Sequence, residues 1–311
     1  MIAVHFVEEE FVSARRPGRL WIFFGIFLIL TQSRSASADP VGPFVADFAD
    51  TQDPGKFTLQ AFPLMGIRLG EFDSGGTIRY APSGDRDNSF AIPIVGVYGI
   101  TKDLEISADL TYSTNWKSEA GQAAQHGGIG DSFIKLKYRL FDGGEEGWKP
   151  SVSTIGRIRL PLGNCDHLDP HKLGTDELGS GAYMATLGLN VGKWTKKWQW
   201  TANLWYNWPL DTTIDGVQTR RGNFLYYALA GEYAVSEKWS IILEFFGQEQ
   251  GKTERDYRML DNTDSRVLYA VPGVGWDISE KFFVMASVSI PVLGKNNPVT
   301  IIPGLFFNFN F

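Results

Sequence analysis

The sequence predicts an all-β protein, a transmembrane antiparallel β-barrel of about twelve strands with short periplasmic turns and longer outer loops. Three observations carry this expectation. The first is the C-terminus: counting back by two from Phe311 gives Phe309, Phe307, Leu305, Pro303 and Ile301, while Asn310, Asn308, Gly304 and Thr300 fall on the other face. Successive strand side chains point to opposite faces. The segment is therefore a strand with one apolar and one largely polar side, as a barrel closed in lipid requires. The second is recurrence of this alternation along the chain. The third is an export signal near the N-terminus.

The signal comes first in order. Leu20 to Leu30 is an unbroken apolar run preceded by Arg15, Arg16 and Arg19 and followed by Ala36-Ser37-Ala38. A basic region, a short apolar core and an Ala-x-Ala exit mark residues 1–38 as a secretory signal cleaved before Asp39. The run is too short for a membrane anchor, which needs roughly 20 apolar residues. Glu8, Glu9 and Glu10 are unusual before such a core and point to a start codon downstream of Met1. Residues 39–56 are punctuated by Pro and Gly without periodicity and read as a periplasmic N-terminal lead to a barrel over 57–311.

Strand segments then fall near 57–69, 89–99, 103–114, 128–140, 150–161, 180–192, 198–209, 223–235, 238–248, 265–277, 281–291 and 299–311. Their lengths suit tilted strands, which cross a bilayer in about 9–11 residues. The pattern is cleanest where Leu104, Ile106, Ala108, Leu110 and Tyr112 alternate with Glu105, Ser107, Asp109 and Thr111, and where Ile134, Leu136, Tyr138 and Leu140 alternate with Lys135, Lys137 and Arg139. Connectors at 100–102, 193–197, 236–237 and 278–280 are short and 141–149 is somewhat longer. Those at 70–88, 115–127, 162–179, 210–222 and 249–264 are long and polar, and 292–298 is brief. Trp148, Trp194, Trp198, Trp239 and Trp276 cluster by the short turns, with Tyr112, Trp116, Tyr206 and Trp208 near the other ends, as interfacial girdles do.

Composition agrees. Hydrophobic residues make up 43% of the chain and aromatics 14%, but mean hydropathy is only −0.13, so a bundle of apolar membrane helices is excluded. Removing residues 1–38 takes away four basic and three acidic residues and leaves a net charge of about −7, which gives no footprint for nucleic acid. Cys165 is the single cysteine, so no intrachain disulfide can form, and none follows the signal where a lipoprotein would need one.

The stretch Gly128-Ile129-Gly130-Asp131-Ser132-Phe133-Ile134-Lys135-Leu136-Lys137-Tyr138-Arg139-Leu140, followed by Leu160-Pro161-Leu162-Gly163, resembles the family called "putative MetA-pathway of phenol degradation". Val97 to Glu105, the Gly-rich restart Leu178-Gly179-Ser180-Gly181 and Tyr227 to Tyr233 support it, so the likeness spans most of 50–311. The resemblance implies an outer-membrane barrel of transporter type and uptake of hydrophobic or aromatic compounds. It supplies no catalytic residues.

The polar residues suggest chemistry of their own. Lys135, Lys137 and Arg139 form one cationic ridge and Arg157 and Arg159 a second beside it, both on the expected lumen face. Glu105, Asp109, Glu232 and Glu244 supply opposite charge. Such ridges either line a polar pore with a transverse field or pair with one another to fill the barrel, and the sequence leaves both open. The loop Asn164-Cys165-Asp166-His167-Leu168-Asp169-Pro170-His171 holds possible ligands in Cys165, His167 and His171, but Pro170 breaks the helical spacing a transition-metal site would use. Asp166, Asp169, Asp176 and Glu177 could instead meet a divalent cation near lipopolysaccharide phosphates, though a solvated loop is the simpler expectation. His126 is not set in a phospholipase-like His-x-Ser-Asn arrangement. The expectation is therefore a non-enzymatic, cofactor-free channel in a bacterial outer membrane for passive uptake of small compounds. Its partners would be outer-membrane lipid and lipopolysaccharide, the barrel assembly machinery through the strand ending at Phe311, and a small-molecule solute. A filled structural or adhesion barrel without transport is the alternative, and an outer-membrane hydrolase a more remote one.

Overall fold

The structure is a computed structural model that describes residues 45–144 and 147–311. The expected signal and the first part of the lead lie outside the described residues. The wall is a closed antiparallel barrel of twelve strands. In chain order these are β1 (in two pieces, Phe57–Ala61 and Leu64–Phe72), β2 (Arg86–Thr101), β3 (Leu104–Glu119), β4 (in two pieces, Gln122–Ile129 and Ser132–Phe141) and β5 (Ser151–Leu160). There follow β6 (Met184–Trp194), β7 (Trp198–Pro209), β8 (Phe224–Ala234), β9 (Trp239–Gln250), β10 (Ser265–Ser279), β11 (Phe282–Lys295) and β12 (Asn297–Asn310).

Closure occurs where the C-terminus implied it. Thr58 pairs with Asn310 and Ala61 with Phe307, and further along Leu64 pairs with Gly304 and Phe72 with Asn297. β1 also pairs with β2, which closes the wall through the membrane-spanning part, where unpaired backbone groups would be costly, while the short strand Ile78–Tyr80 pairs with β1 alone at the rim. The break in β1 is at Phe62-Pro63, where proline removes a ladder donor. Its neighbours compensate: Phe62 N–H donates to the Pro93 carbonyl at 3.0 Å, and Leu305 N–H donates to the Pro63 carbonyl at 3.0 Å.

Strand boundaries differ from the sequence pattern mainly at the outer end. Residues 115–127, expected as a long loop, instead extend β3 and β4 into a hairpin that turns at Ala120-Gly121. Both turn residues have positive φ, 51° and 82°, the geometry whose twist matches a two-residue hairpin. Parts of the expected loops 210–222 and 249–264 also pair: Thr212–Ile214, Val217–Arg220, Glu254–Arg255 and Arg258–Met259 form a separate four-stranded sheet. Polar alternation ends where lipid ends, but backbone pairing need not, so hydrophobic patterning underestimates such strands.

The outer surface is apolar all round. Leu110, Leu136, Ile158, Leu204, Leu229 and Ile241 are among the exposed side chains, alternating with inward neighbours as the strand period demands. Trp198, Trp239 and Trp276 are exposed by the short turns, with the Trp239 and Trp276 rings stacked at 5.4 Å, as interfacial residues would sit. On β12, Leu305 and Phe309 are exposed, as is Phe311 just beyond its end, but Phe306, on the face expected to be largely polar, is buried inside.

Candidate functional site: the lumen

Inward positions of β3 to β7 carry most of the charge. Lys137 Nζ lies 3.1 Å from Glu105 on the paired strand, and Arg139 lies 3.1 Å from Asp103. Asp109, Arg157, Arg159, Glu232 and Glu244 also fall on inward positions, alternating with lipid-facing residues. Asp109 accepts from the Phe133 N–H and from the Thr111 hydroxyl at 3.0 Å. Glu232 accepts from the Gln199 side-chain amide.

The principal counter-charge to the first ridge comes from an unexpected place. The segment 45–52, read from sequence as part of a periplasmic lead, lies inside the barrel. Asp47 receives Lys135 Nζ at 2.7 Å and Lys137 Nζ at 2.9 Å. Asn203 clasps the Asp47 backbone from both sides, accepting its N–H at 2.8 Å and donating to its carbonyl at 2.7 Å. Gln52 N–H donates to Glu105 at 2.8 Å, and the N–H groups of Val45 and Ala46 donate to Glu244 at 3.0 and 3.1 Å. One strap thus joins β3, β4, β7 and β9 across the lumen. The physical reason is the cost of burying a cationic ridge without anions, combined with Ala46 and Ala49, small enough to pass between the walls. The acids at 47, 50 and 53 were the available signal. What concealed it is that the strap has no periodicity and its partners lie far away in sequence.

Beyond the strap the lumen opens. A cavity of about 440 Å³ is lined by Arg157, Arg159, Arg221, Trp205, Phe224 and Tyr226, with Val45 of the strap at its boundary. A second, of about 460 Å³, shares Arg159, Ser180 and Arg221 with it and adds Asp131 and Glu177. The Arg157 guanidinium lies 5.5 Å from the centre of the Phe133 ring and 5.2 Å from that of Trp205, within cation–π range. It donates to Asn207 at 3.2 Å, and its Nε is buried without a hydrogen-bond partner among the described residues. Four inward rings on successive strands form a row: Trp205 to Tyr226 at 4.9 Å, Tyr226 to Phe246 at 6.4 Å, and Phe246 to Tyr269 at 4.8 Å.

The walls of β9 to β12 carry large apolar clusters inside as well as apolar side chains outside, with Ser240, Glu244, Ser287, Ser289 and Asn308 as buried polar residues between them. Ile242, Phe283, Met285 and Phe306 form one buried cluster against which Val45 packs, and Val267, Tyr269 and Val271 form another. The inward charge is therefore concentrated on one side of the barrel and the large apolar clusters on the other.

The Gly-rich motifs meet at the break in β4 and the outer end of β5. Asp131 accepts the Ser180 N–H at 2.8 Å, its hydroxyl at 2.6 Å and the Gly163 N–H at 3.3 Å. A Cβ on Gly163 would lie 2.5 Å from the Leu178 carbonyl oxygen, and one on Gly179 would strike the Gly163 backbone at 2.6 Å. Only glycine allows the two backbones to approach this closely, so the motif holds the long loop 161–183 over the cavities.

That loop groups its possible ligands differently from the set its sequence suggested. Asp166, His167 and Asp215 bring ligand atoms within 4.8 Å of one another, whereas Cys165 and His171 are not part of the group. Asp166 accepts the Asp215 N–H at 2.7 Å, and this backbone contact above all holds its carboxyl below the usual range. Asp169 caps the short 3-10 turn at Pro170–Lys172, Asp176 accepts the Asp169 N–H at 2.9 Å, and Glu177 lies 3.7 Å from Arg221. These carboxylates build the loop. His126 pairs across the β3–β4 hairpin with Asn115.

A closed wall with an apolar exterior and a partly polar, strapped interior defines an outer-membrane β-barrel, located in the bacterial outer membrane. Residues 118–300 match the family described as "Putative MetA-pathway of phenol degradation", more than half of the chain, and the protein belongs to that family. No curated protein sequence matches it. Among solved structures it is similar to the COG4313 outer membrane channel from Pseudomonas putida F1, with a TM-score of 0.70 and 15% identity over 88% of this chain and 100% of that one. Matches to the NanC porin (TM-score 0.49, 10% identity, 80% and 98% covered) and the Ralstonia pickettii toluene transporter TbuX (0.41, 9%, 84% and 90%) are more distant. At these identities the likeness concerns the fold.

Proposed function

We propose that the protein is a passive, non-catalytic channel for small aromatic or hydrophobic compounds, narrowed from within by its own strap. The single observation that carries this reading is the aromatic-lined cavity of about 440 Å³ beside the strap. That volume lies within the roughly 300–1,000 Å³ of small-molecule sites. The family's association with phenol degradation and the channel fold support the same reading. Lipid and lipopolysaccharide would surround the wall, and the strand ending at Phe311 would address the chain to the assembly machinery.

The strap also favours a second reading, a filled barrel with a structural or adhesive role. Planar-bilayer conductance and liposome swelling separate the two. The channel reading expects low conductance from the intact chain and a marked rise when Asp47→Ala loosens the strap. If neither protein admits ions or any small solute, the filled barrel stands.

A further inference from the structure

We propose that the lumen contains a binding site for a small aromatic carboxylate, its anionic head held by Arg157 and Arg159 and its ring held against Trp205 and Tyr226. The inference deepens the channel reading by naming a cargo class, and it rests on that reading only for its biological purpose.

The argument begins with charge. Among the described residues, each cation of the ridge on β4 has a carboxylate within ion-pair distance: Asp47 for Lys135 and Lys137, Asp103 for Arg139. The ridge on β5 is different. No ion pair of Arg157 or Arg159 occurs among the described residues, and Arg159 makes no hydrogen bond among them either. Asp109, an inward acid on β3, is occupied by the Phe133 N–H and the Thr111 hydroxyl. Two guanidinium groups one pleat apart on one strand repel each other, and an anion between them relieves both. Arg221 also borders both cavities.

Geometry selects the anion. Contacts with Phe133 and Trp205 flank Arg157, while its buried Nε lacks a partner. That Nε edge is closed off from the cavity, so the donors open to a ligand are those of Arg159 and the remaining N–H groups of Arg157. A planar guanidinium fork matches a carboxylate, which accepts two parallel N–H bonds. Trp205 and Tyr226 present ring surface to the same cavity, and aromatic groups favour stacked or edge contacts with another ring. Gln248 and Gln250 border it too and can serve a ring substituent by hydrogen bonding. A neutral hydrocarbon would leave both guanidinium groups without an ion-pair partner, and a small inorganic anion would leave the ring surface unused. One molecule with both features satisfies the whole lining.

The test is equilibrium binding to the purified full chain in detergent micelles, by calorimetry, with benzoate as the probe. Benzamide removes the charge, acetate removes the ring, and inorganic phosphate offers charge of another shape. Benzoate is expected to bind at least tenfold more tightly than each of the three. Arg159→Gln and Arg157→Gln should each weaken benzoate at least tenfold while leaving benzamide unchanged, and Trp205→Leu should bring benzoate close to acetate. Because Arg157 is packed between rings, Arg221→Gln at the cavity border serves as a milder second variant, with an expected loss of a few-fold. Retained β-sheet circular dichroism verifies folding. Equal binding of benzoate and benzamide, equal binding of benzoate and phosphate, or unchanged benzoate affinity in Arg159→Gln overturns the proposal. Binding without permeation would preserve this site and remove the channel reading; permeation without binding would do the reverse.

Discussion

The two sides of the lumen are built on opposite principles. On β3 to β7 the inward residues include Glu105, Lys135, Lys137, Arg139, Asn190 and Asn203, and hydrogen bonds and ion pairs bind the strap there. On β9 to β12 they include Ile242, Val271, Phe283, Met285 and Phe306, and the strap meets them through Val45 packing. Polar residues interrupt this wall at Ser240, Glu244, Ser287, Ser289 and Asn308, and the Glu244 carboxylate accepts the N–H groups at that end of the strap. The difference teaches how a short irregular segment can be held in a tube. One wall supplies directional, charge-specific bonds that set its register, and the other supplies a dry surface that need only fit.

The largest break in this contrast comes from Asp47→Ala. It would leave Lys135 and the buried Lys137 without their shared anion, and removing one partner of a buried pair costs about 3–5 kcal/mol. The expected outcome is a lower thermal midpoint by circular dichroism together with raised conductance. An unchanged melt and unchanged conductance would mean the strap is not held by charge. Met285→Ala tests the opposite wall: a fully buried side chain is cut back, at about 2–5 kcal/mol for such a cavity. Here a lower melting point should come with little change in ion selectivity, measured by reversal potential. A selectivity shift as large as that of a ridge variant would erase the distinction between walls.

A smaller effect is expected at the loop clasp. Gly163→Ala places a methyl group against the Leu178 carbonyl, and such overpacking costs about 1–3 kcal/mol. Limited proteolysis should find the 161–183 loop cut faster while the barrel stays intact; equal rates would show that the motif does not hold the loop. The smallest effect lies at the rim, where Lys295 sits 2.6 Å from Asp264 and its hydrogen bond holds that carboxyl below the usual range. A lowered folded-state value means the stabilisation is present above the unfolded carboxylate value of 3.8 and is lost as pH falls through the folded one. An NMR pH titration should find Asp264 titrating below 3.8; a midpoint at or above that value would remove the ion pair from the account.

Much of the wall was legible before any coordinates. Leu104 to Tyr112 and Ile134 to Leu140 announce their two faces because one side meets lipid and the other does not. β10 to β12 announce them less well, since Val267, Tyr269 and Val271 point inward while Leu268 and Ala270 point outward. Apolar residues on both faces hide the period. The motif glycines were visible as residues but not as a clasp, because Gly163 and Gly179 meet only after the loop folds back on Asp131.

The sequence alone determined that the chain is a lipid-embedded barrel closed by the strand ending at Phe311, because a period-two pattern is a local consequence of alternating side chains. It also determined that the ridges on β4 and β5 face inward, since charge facing lipid at mid-depth costs roughly 2–4 kcal/mol per Arg or Lys. Only the tertiary structure decided that Asp47 pairs with Lys135 and Lys137 while Arg157 and Arg159 border a cavity with Trp205 and Tyr226. Those relations depend on distance across the lumen between residues far apart in the chain, and no local pattern encodes such a distance.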